Sequence, residues 1–330
     1  NKKGDVLIPL SGGRDSCFAL GYIKDLGIKP IAYTYDWGMI TDLARRNISR
    51  MTAQLGVEHI LISADIRKKR KNIQIRLAEV KKIESEKKQV VTNIGAFEYD
   101  FLVIATGCRT NFFGNKEIER NSVAMKTIPQ SLNIRSLILE NFEQALLTND
   151  IHDRHSLINF VLVGGGPTGV ELAGALAEMK KAILPKDYPD LDVRKMQINL
   201  IQSSDRILDS MSEKSSQEAE DFLINLGVNV WKNVRVTGYD GSTVTTNTDL
   251  TFNSATVIWT AGVQGALPAG IDSNAIIPRA ERLKVNEFNQ VEGYDNIFAI
   301  GDIAAMLSEQ NPKGHPMMAQ PAMQQGKWLG

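Results

Sequence analysis

The fold is decided by one stretch: Phe160-Val161-Leu162-Val163, then Gly164-Gly165-Gly166-Pro167-Thr168-Gly169, then Val170-Glu171-Leu172-Ala173-Gly174. The apolar residues predict a buried strand, and a helix is predicted to begin directly after the glycines. In such a unit, Gly164 permits a tight turn, Gly166 lets the backbone approach a pyrophosphate, and Gly169 allows close helix–strand packing. The N–H groups at a helix N-terminus attract phosphate. The stretch therefore predicts a dinucleotide site, and a glycine-rich turn without a ligand is the weaker alternative.

The next strand is predicted over residues 196–202 and ends at Gln202. NAD-binding proteins usually carry Asp or Glu there, which accepts a hydrogen bond from the ribose 2′-hydroxyl. An amide can also bond a hydroxyl, and it does not repel a 2′-phosphate. NADH is the predicted nucleotide, and NADPH stays open.

Elsewhere, apolar runs alternate with helical patterns, which indicates an α/β fold. Further strands are predicted over residues 5–10, 30–35, 59–62, 101–106, 159–163, 256–259 and 296–300, and helices over 16–25, 42–54, 132–147 and 215–226. Residues 73–100 alternate in a way that predicts antiparallel hairpins.

Composition excludes several protein classes. Lys+Arg and Asp+Glu both total 38, so nothing indicates a nucleic-acid partner. The two cysteines do not suggest a disulfide framework and fit a reducing compartment. The sequence contains no run of roughly 18 apolar residues and no recognisable signal peptide. Because the chain begins at Asn1 and stops at Gly330, we expect it to be a fragment.

Several motifs together resemble the type II NADH dehydrogenases, flavoproteins that pass electrons from NADH to a quinone. Besides residues 164–174, they are Val103-Ile104-Ala105-Thr106-Gly107, Leu184-Pro185-Lys186-Asp187-Tyr188-Pro189, Trp259-Thr260-Ala261-Gly262-Val263, Phe298-Ala299-Ile300-Gly301-Asp302 and Ala319-Gln320-Pro321-Ala322-Met323-Gln324-Gln325-Gly326. The resemblance extends over residues 73–330 and implies a two-dinucleotide-binding-domain, Rossmann-like flavoprotein. The implied cofactors are FAD and NADH, and the implied acceptor is a quinone.

The resemblance also implies residue roles. Cofactor contacts are implied for Thr106, Gly107, Gly164, Gly166, Gly169, Gln202, Thr260, Ala261, Gly262, Gly301 and Asp302. Catalytic positions are implied for Glu171, near the nicotinamide and flavin, and for Gln320 and Gln324, beside the flavin and quinone. Asp302 alone would also suit a helix N-cap, and Gln320 and Gln324 an exposed helix face. Cys108 is predicted to be a small packed residue rather than a redox group. No metal site is predicted.

The implied domains are an FAD-binding domain of residues 73–150 and 270–330 and an NADH-binding domain of residues 151–269. The FAD-binding domain is expected to be incomplete, since no GxGxxG loop lies upstream of residue 73. The family's membrane-attaching C-terminal segment is likewise expected to be absent from these residues. The implied location is the cytoplasm or the cytoplasmic face of the membrane, with peripheral contact in the parent family only.

The N-terminus carries a different motif, Ser11-Gly12-Gly13-Arg14-Asp15-Ser16, between a predicted strand and helix. It is similar to the PP-loop of ATP pyrophosphatases, in which loop N–H groups and hydroxyls cradle a pyrophosphate. Ser11, Gly12, Gly13, Asp15 and Ser16 are thus candidate ATP-binding residues. Residues 1–70 are predicted to form a small doubly wound unit, and residues 5–70 resemble an N-acetyl sugar amidotransferase.

The two resemblances meet within residues 67–72, which suggests a chimeric or misjoined chain. A PP-loop is shaped for ATP, and the FAD domain has its own strand order, so flavin retention is expected to be weak. The alternatives to quinone reduction are an ATP-dependent ligase or amidotransferase and an inactive fusion that only binds NADH.

Overall fold

The structure, a computed structural model, describes residues 6–36, 40–63 and 74–330. The chain divides into two compact units, Asn1–Ala78 (unit 1) and Glu79–Gly330 (unit 2). The predicted junction at residues 67–72 lies outside the described residues.

Unit 1 contains a parallel three-stranded sheet in the order β1-β2-β3 and two helices. These elements are β1 Val6–Pro9, α1 Arg14–Asp25, β2 Pro30–Asp36, α2 Asp42–Leu55 and β3 Glu58–Ser63, close to the predicted bounds. The Thr41 hydroxyl caps the start of α2, and Gly56 ends it in a left-handed conformation. The strand order is also that of half a dinucleotide-binding fold. The expectation that strand order separates this segment from an FAD domain is therefore not supported.

Unit 2 is larger and contains the remaining elements. Its strands are β4 Val80–Glu84, β5 Gln89–Thr92, β6 Gly95–Glu98, β7 Leu102–Ile104, β8 Cys108–Thr110, β9 Val123–Ala124, β10 Phe160–Val163, β11 Ile198–Ile201, β12 Asn229–Trp231, β13 Val236–Tyr239, β14 Thr243–Thr246, β15 Thr251–Asn253, β16 Thr256–Trp259, β17 Val263–Gly265, β18 Ile276–Ile277, β19 Arg282–Val285, β20 Ile297–Ala299 and β21 Ala304–Met306. Its helices are α3 Lys116–Asn121, α4 Ile128–Leu147, α5 Ile151–Ile158, α6 Pro167–Ala182, α7 Leu184–Asp187, α8 Glu213–Asn225 and α9 Ala319–Leu329.

A parallel five-stranded sheet in the order β12-β11-β10-β16-β9 forms one half of unit 2. Strand β10 is buried along its whole length because β11 and β16 flank it and side chains cover both faces. One face packs against α4 through Ile138 and Phe142, which share a core with Phe160. Residues 123–147, implied by the resemblance to be part of the flavin domain, thus contribute a strand and a helix to the half built around β10.

Smaller sheets form the other half. Strand β7 pairs in parallel with β20, and strands β4-β5-β6 form an antiparallel sheet. Two further sheets in this half contain β18-β19-β21 and β8–β17. Their shared core includes Ile104, Leu283, Ile297 and Ile303. Because β7 and β20 run in parallel, the residues that follow them lie side by side at the carboxyl ends of the two strands.

Three predicted elements differ from the observed ones. The hairpins begin at Val80 rather than near residue 73, and Leu77 is 95% exposed, so its apolar side chain marks no buried face. The strand predicted at residues 101–106 is shorter in the structure, where it extends only over β7. It is also less buried than predicted, because Val103 is 44% exposed. Helix α4 begins four residues early because Thr127 and Gln130 cap each other's backbone N–H groups. Across the described ranges, none of the helices has the length and apolar character to cross a bilayer.

Candidate nucleotide and flavin site

The loop of residues 164–169 connects β10 to α6, and each glycine has the geometry that the motif requires. Gly164 adopts φ +115°, and a Cβ there would lie 2.6 Å from the Ala261 nitrogen. A Cβ on Gly169 would lie 1.9 Å from the Gly164 carbonyl oxygen, so only glycine lets the helix approach the strand. A Cβ on Gly166 would have no atom within 4 Å. The open side of the loop is therefore at Gly166, where a ligand phosphate would approach.

The start of α6 is open to an anion. Gly166 is its N-cap residue and offers no side-chain hydrogen bond, and Pro167 follows at the first helical position. The N–H groups of the first turn have no partner within the helix, and the helix dipole adds partial positive charge there. This arrangement suits a pyrophosphate.

A cavity of about 670 Å³ lies beside the loop, at the carboxyl ends of β10, β11 and β16. Its lining includes Gly164, Gln202, Ser203, Arg235, Trp259 and Ala261. The Thr260 hydroxyl bonds the Val163 and Gly164 carbonyls at 2.9 and 3.0 Å, so it fixes the strand ends. Gly262 adopts φ +70°, and a Cβ there would meet the Phe113 ring at 2.6 Å. Of the predicted residues 260–262, Thr260 thus contacts the loop, Ala261 lines the cavity, and Gly262 lies against Phe113 of the cavity wall.

Gln202 directly follows β11, close to the predicted strand end, but its amide already makes hydrogen bonds within the protein. Its Oε1 accepts a hydrogen bond from the Gly165 N–H at 2.8 Å, and its Nε2 donates to the Ser204 hydroxyl and the Arg206 carbonyl. A carbonyl oxygen has two lone pairs, so Oε1 retains one for a ribose hydroxyl. Gln202 therefore stabilises the loop of residues 164–169 and also lines the cavity.

The flavin-side residues follow the paired strands β7 and β20. Thr106 and Gly107 come after β7, and Gly301 and Asp302 come after β20. The Ile300 N–H donates to the Ile104 carbonyl at 3.1 Å, which extends the pairing towards these residues. Gly107 and Gly301 have φ values of +71° and +74°, a conformation that favours glycine. The structure brings these four predicted residues to one edge.

A polar cluster that the sequence did not predict lies beside Asp302. The Cys108 thiol donates to Asp302 Oδ2 at 3.0 Å, and Lys126 Nζ lies 3.7 Å from the same oxygen. Burial, followed by the hydrogen bond to Asp302, raises the pKa of the Cys108 thiol. Cys108 is half-buried but hydrogen-bonded, so the prediction of a merely packed residue was incomplete. The position of Cys108 directly after Gly107 could have indicated that it lies near the site. Nothing in the sequence around Lys126 indicated a contact with Asp302.

Replacing Asp302 with asparagine is expected to lower the pKa of Cys108, because the negative charge that opposes thiolate formation is removed. Alkylation of Cys108 by iodoacetamide should then begin at lower pH. Peptide mass spectrometry measures it, with Cys17 in the same sample as the internal control. An unchanged pH profile for Cys108 would show that Asp302 does not act on the thiol.

Helix α9 carries the predicted glutamines. Gln320 and Gln324 are both exposed, and Gln324 borders a cavity of about 610 Å³ together with Met306, His315 and Trp328. The neighbouring Gln325 is only 6% exposed, and its Oε1 accepts a hydrogen bond from the Gly301 N–H at 2.8 Å. Gln325, which the sequence did not single out, therefore connects α9 to the loop after β20. Glu171, the other predicted catalytic residue, is exposed near the start of α6.

The unit 1 loop is held by its own side chains. The Ser16 hydroxyl accepts from the Ser11 N–H at 3.2 Å and donates to the Gly13 carbonyl at 3.0 Å. Gly12 has φ +82°, and a Cβ there would lie 2.5 Å from the Ala44 carbonyl, so packing against α2 already explains this glycine. The side chain of Asp15 lies outside the described residues.

Comparisons with known proteins bear on both units. Residues 36–326 match the pyridine nucleotide-disulphide oxidoreductase family. The match includes part of the segment that resembles an amidotransferase and continues across residues 67–72. The comparisons therefore do not support a join between two families there.

Two curated relatives share about a third of their aligned residues with this chain. The type II NADH:quinone oxidoreductase Ndh of Mycobacterium tuberculosis is 33% identical over 274 residues, which is 79% of this chain and 58% of that protein. The external alternative NAD(P)H-ubiquinone oxidoreductase B3 of Arabidopsis thaliana mitochondria is 32% identical over 237 residues, or 68% of this chain and 40% of that one. The chain thus spans little more than half the length of the first relative and less of the second.

A solved structure, NDH2 from Plasmodium falciparum in complex with NADH, has the same fold. It superposes with a TM-score of 0.62 at 21% identity and covers 92% of this chain and 65% of its own. Since the family match spans most of the sequence, the chain belongs to the pyridine nucleotide-disulphide oxidoreductase family.

Proposed function

We propose that this chain provides the NADH-oxidising core of an FAD-dependent NADH:quinone oxidoreductase. The observation that carries the proposal is the glycine loop at the open N-terminus of α6, beside the 670 Å³ cavity. In open α/β sheets, ligands bind beyond the carboxyl ends of the strands, where this cavity lies. Family membership and the names of the curated relatives support the same activity.

In this proposal, the loop of residues 164–169 and the first turn of α6 hold the NADH pyrophosphate. The adenosine half occupies the cavity beside Gln202, and the nicotinamide half extends past Thr260, Ala261 and Gly262. Glu171, on the same helix as the loop, borders the nicotinamide. These residues bind and orient the nucleotide, which is the main task of the protein in cofactor chemistry.

Residues suited to a flavin lie at the edge after β7 and β20. Thr106, Gly107 and Gly301 present a backbone without bulky side chains, and Asp302 provides a carboxylate that accepts hydrogen bonds from a ribityl chain. A flavin held by these residues would supply the redox chemistry, as the carrier of two electrons between NADH and the quinone. Gln325 fixes the Gly301 loop, and Gln320 and Gln324 would lie at the quinone side. The same proposal includes an FAD-binding domain of residues 73–150 and 270–330, apart from the strand and helix of residues 123–147 that pack with the NADH-binding domain of residues 151–269. It also includes a location at the cytoplasmic face of the membrane.

A second candidate concerns unit 1. Helix α1 begins at Gly13 without a side-chain cap, so its first turn is also open to a phosphate. This favours a nucleotide phosphate but does not distinguish ATP from the pyrophosphate of FAD. An ATP-dependent ligase or amidotransferase would release pyrophosphate from ATP, whereas an FAD half-domain would not.

The colour and activity of the purified protein separate these functions. Stoichiometric flavin after desalting, with NADH-dependent quinone reduction, supports the oxidoreductase. Colourless protein that releases pyrophosphate from ATP supports the second candidate. Colourless protein that binds NADH and catalyses neither reaction is what an inactive fusion predicts, and it would contradict the proposed activity.

The proposal predicts that Gln202→Glu raises the preference for NADH over NADPH by at least about tenfold. A carboxylate there accepts from the ribose hydroxyl and repels a 2′-phosphate, and such a like-charge contact costs on the order of 1.4 kcal/mol or more. The ratio of Kd values, from nicotinamide fluorescence, measures it. Gln197→Glu, exposed before the other end of β11, is the matched control and should leave the ratio unchanged. An unchanged ratio in Gln202→Glu would remove Gln202 from the ribose contact.

A further inference from the structure

One side chain of the adenosine cavity remains unassigned. Arg235 lines it together with Gln202 and Ser203, and its side chain is exposed. Its guanidinium makes no hydrogen bond or ion pair with the described residues. Arg235 thus places a positive charge at the border of the cavity with no counter-charge from the described part of the chain.

The backbone holds Arg235 in place. Its N–H donates to Asn247 Oδ1 at 2.7 Å, and its carbonyl accepts from the Asn247 N–H at 2.9 Å. The preceding residue, Val234, donates its N–H to the Gln202 carbonyl at 3.1 Å, which connects the segment to the end of β11. These hydrogen bonds therefore hold the backbone of Arg235 next to the position where the ribose 2′-oxygen is expected.

The cavity's charge favours an anion at that point. Within the described part of the chain, its lining contains Arg235 and no aspartate or glutamate. The nearby Asp209 carboxylate lies 3.5 Å from the Ser204 hydroxyl and is not part of the lining. Discrimination against a 2′-phosphate normally comes from a carboxylate at the strand end, and acceptance comes from a nearby arginine.

We propose that the cavity also accepts NADPH and that Arg235 is the specificity-determining residue that recognises the 2′-phosphate, with the Ser203 hydroxyl as a second donor. This inference rests on the proposed function, because it requires the adenosine half of the nucleotide to lie in this cavity. It names a second electron donor for the same site. Because Arg235 is exposed, its contribution should decrease as ionic strength rises.

Kd values for NADH and NADPH, measured by nicotinamide fluorescence at low and high salt, test the proposal in the wild type, Arg235→Ala and Arg135→Ala. Arg135 is an exposed arginine on α4 outside the cavity and provides the matched control. The wild type should bind NADPH at least as tightly as NADH. Arg235→Ala should weaken NADPH by about tenfold or more, as expected for loss of a charge-assisted hydrogen bond, and NADH by less than about twofold. Arg135→Ala should change neither.

Competition by AMP and by adenosine 2′,5′-bisphosphate then locates the effect. The bisphosphate should displace NADH more strongly than AMP in the wild type, and most of this advantage should be lost in Arg235→Ala, where only the Ser203 hydroxyl remains as a donor. NADH binding without any preference for the 2′-phosphate, or a preference that is undiminished in Arg235→Ala, would overturn the role of Arg235 and leave the proposed function intact. Failure of both NADH and NADPH to bind would overturn both.

Discussion

Replacement of Gly166 by valine is expected to weaken NADH binding by about a hundredfold or more while the protein stays folded. The residue has φ −74° and ψ 179°, which valine adopts without strain, and no atom lies within 4 Å of a Cβ placed there. The added side chain would occupy the space in front of the loop where the pyrophosphate approaches. Losing two charge-assisted hydrogen bonds costs about 3 kcal/mol or more, which is about a hundredfold in affinity.

Nicotinamide fluorescence titration measures the affinity, and thermal unfolding checks the fold. Gly166→Ala should give an intermediate loss, because its side chain is smaller. Native-like affinity in Gly166→Val, with an unchanged unfolding midpoint, would show that the nucleotide does not bind at this loop.

Replacement of Gly169 by alanine is expected to destabilise unit 2 rather than only block a ligand. The new Cβ would lie 1.9 Å from the Gly164 carbonyl oxygen and 2.9 Å from Thr260 Oγ1. Because the first of these atoms belongs to the backbone, α6 must move away from β10. Overpacking of this kind lowers the free energy of unfolding by about 1–3 kcal/mol, occasionally more.

The same substitution at Gly174 is the matched control on the same helix. A Cβ there would lie 3.8 Å from Leu223, an ordinary contact, so Gly174→Ala should be neutral or stabilising by up to about 1 kcal/mol. Urea unfolding measures both variants. Equal stability of the two variants would contradict the close approach of α6 to β10.

Local patterns predicted the nucleotide half well. The strand before residues 164–169, the helix after them and the need for glycine at Gly164 and Gly169 depend on residues near one another in sequence, so a local motif was enough to predict them. The apolar run at β7 was less informative. Apolar composition shows that a strand forms but does not show which side chains will be covered, and Val103 is exposed.

The contacts that the sequence missed join distant residues. Cys108 reaches Asp302 across 194 positions, and Gln325 reaches Gly301 from the following helix. The resemblance implied flavin and quinone contacts for Gln320 and Gln324, and their i,i+4 spacing suited an exposed helix face, where both residues lie. The glutamine that packs inward is the next residue, Gln325. Periodicity identifies a shared face and does not reveal which face meets the core.

The central claim, hydride transfer from NADH to FAD beside residues 164–169, is tested most directly by adding NADH to the FAD-loaded protein without oxygen. We expect the flavin absorbance to bleach on addition of NADH and to return on addition of a quinone, and neither change should occur in Gly166→Val. A flavin spectrum that NADH leaves unaltered in the wild-type protein would contradict the account.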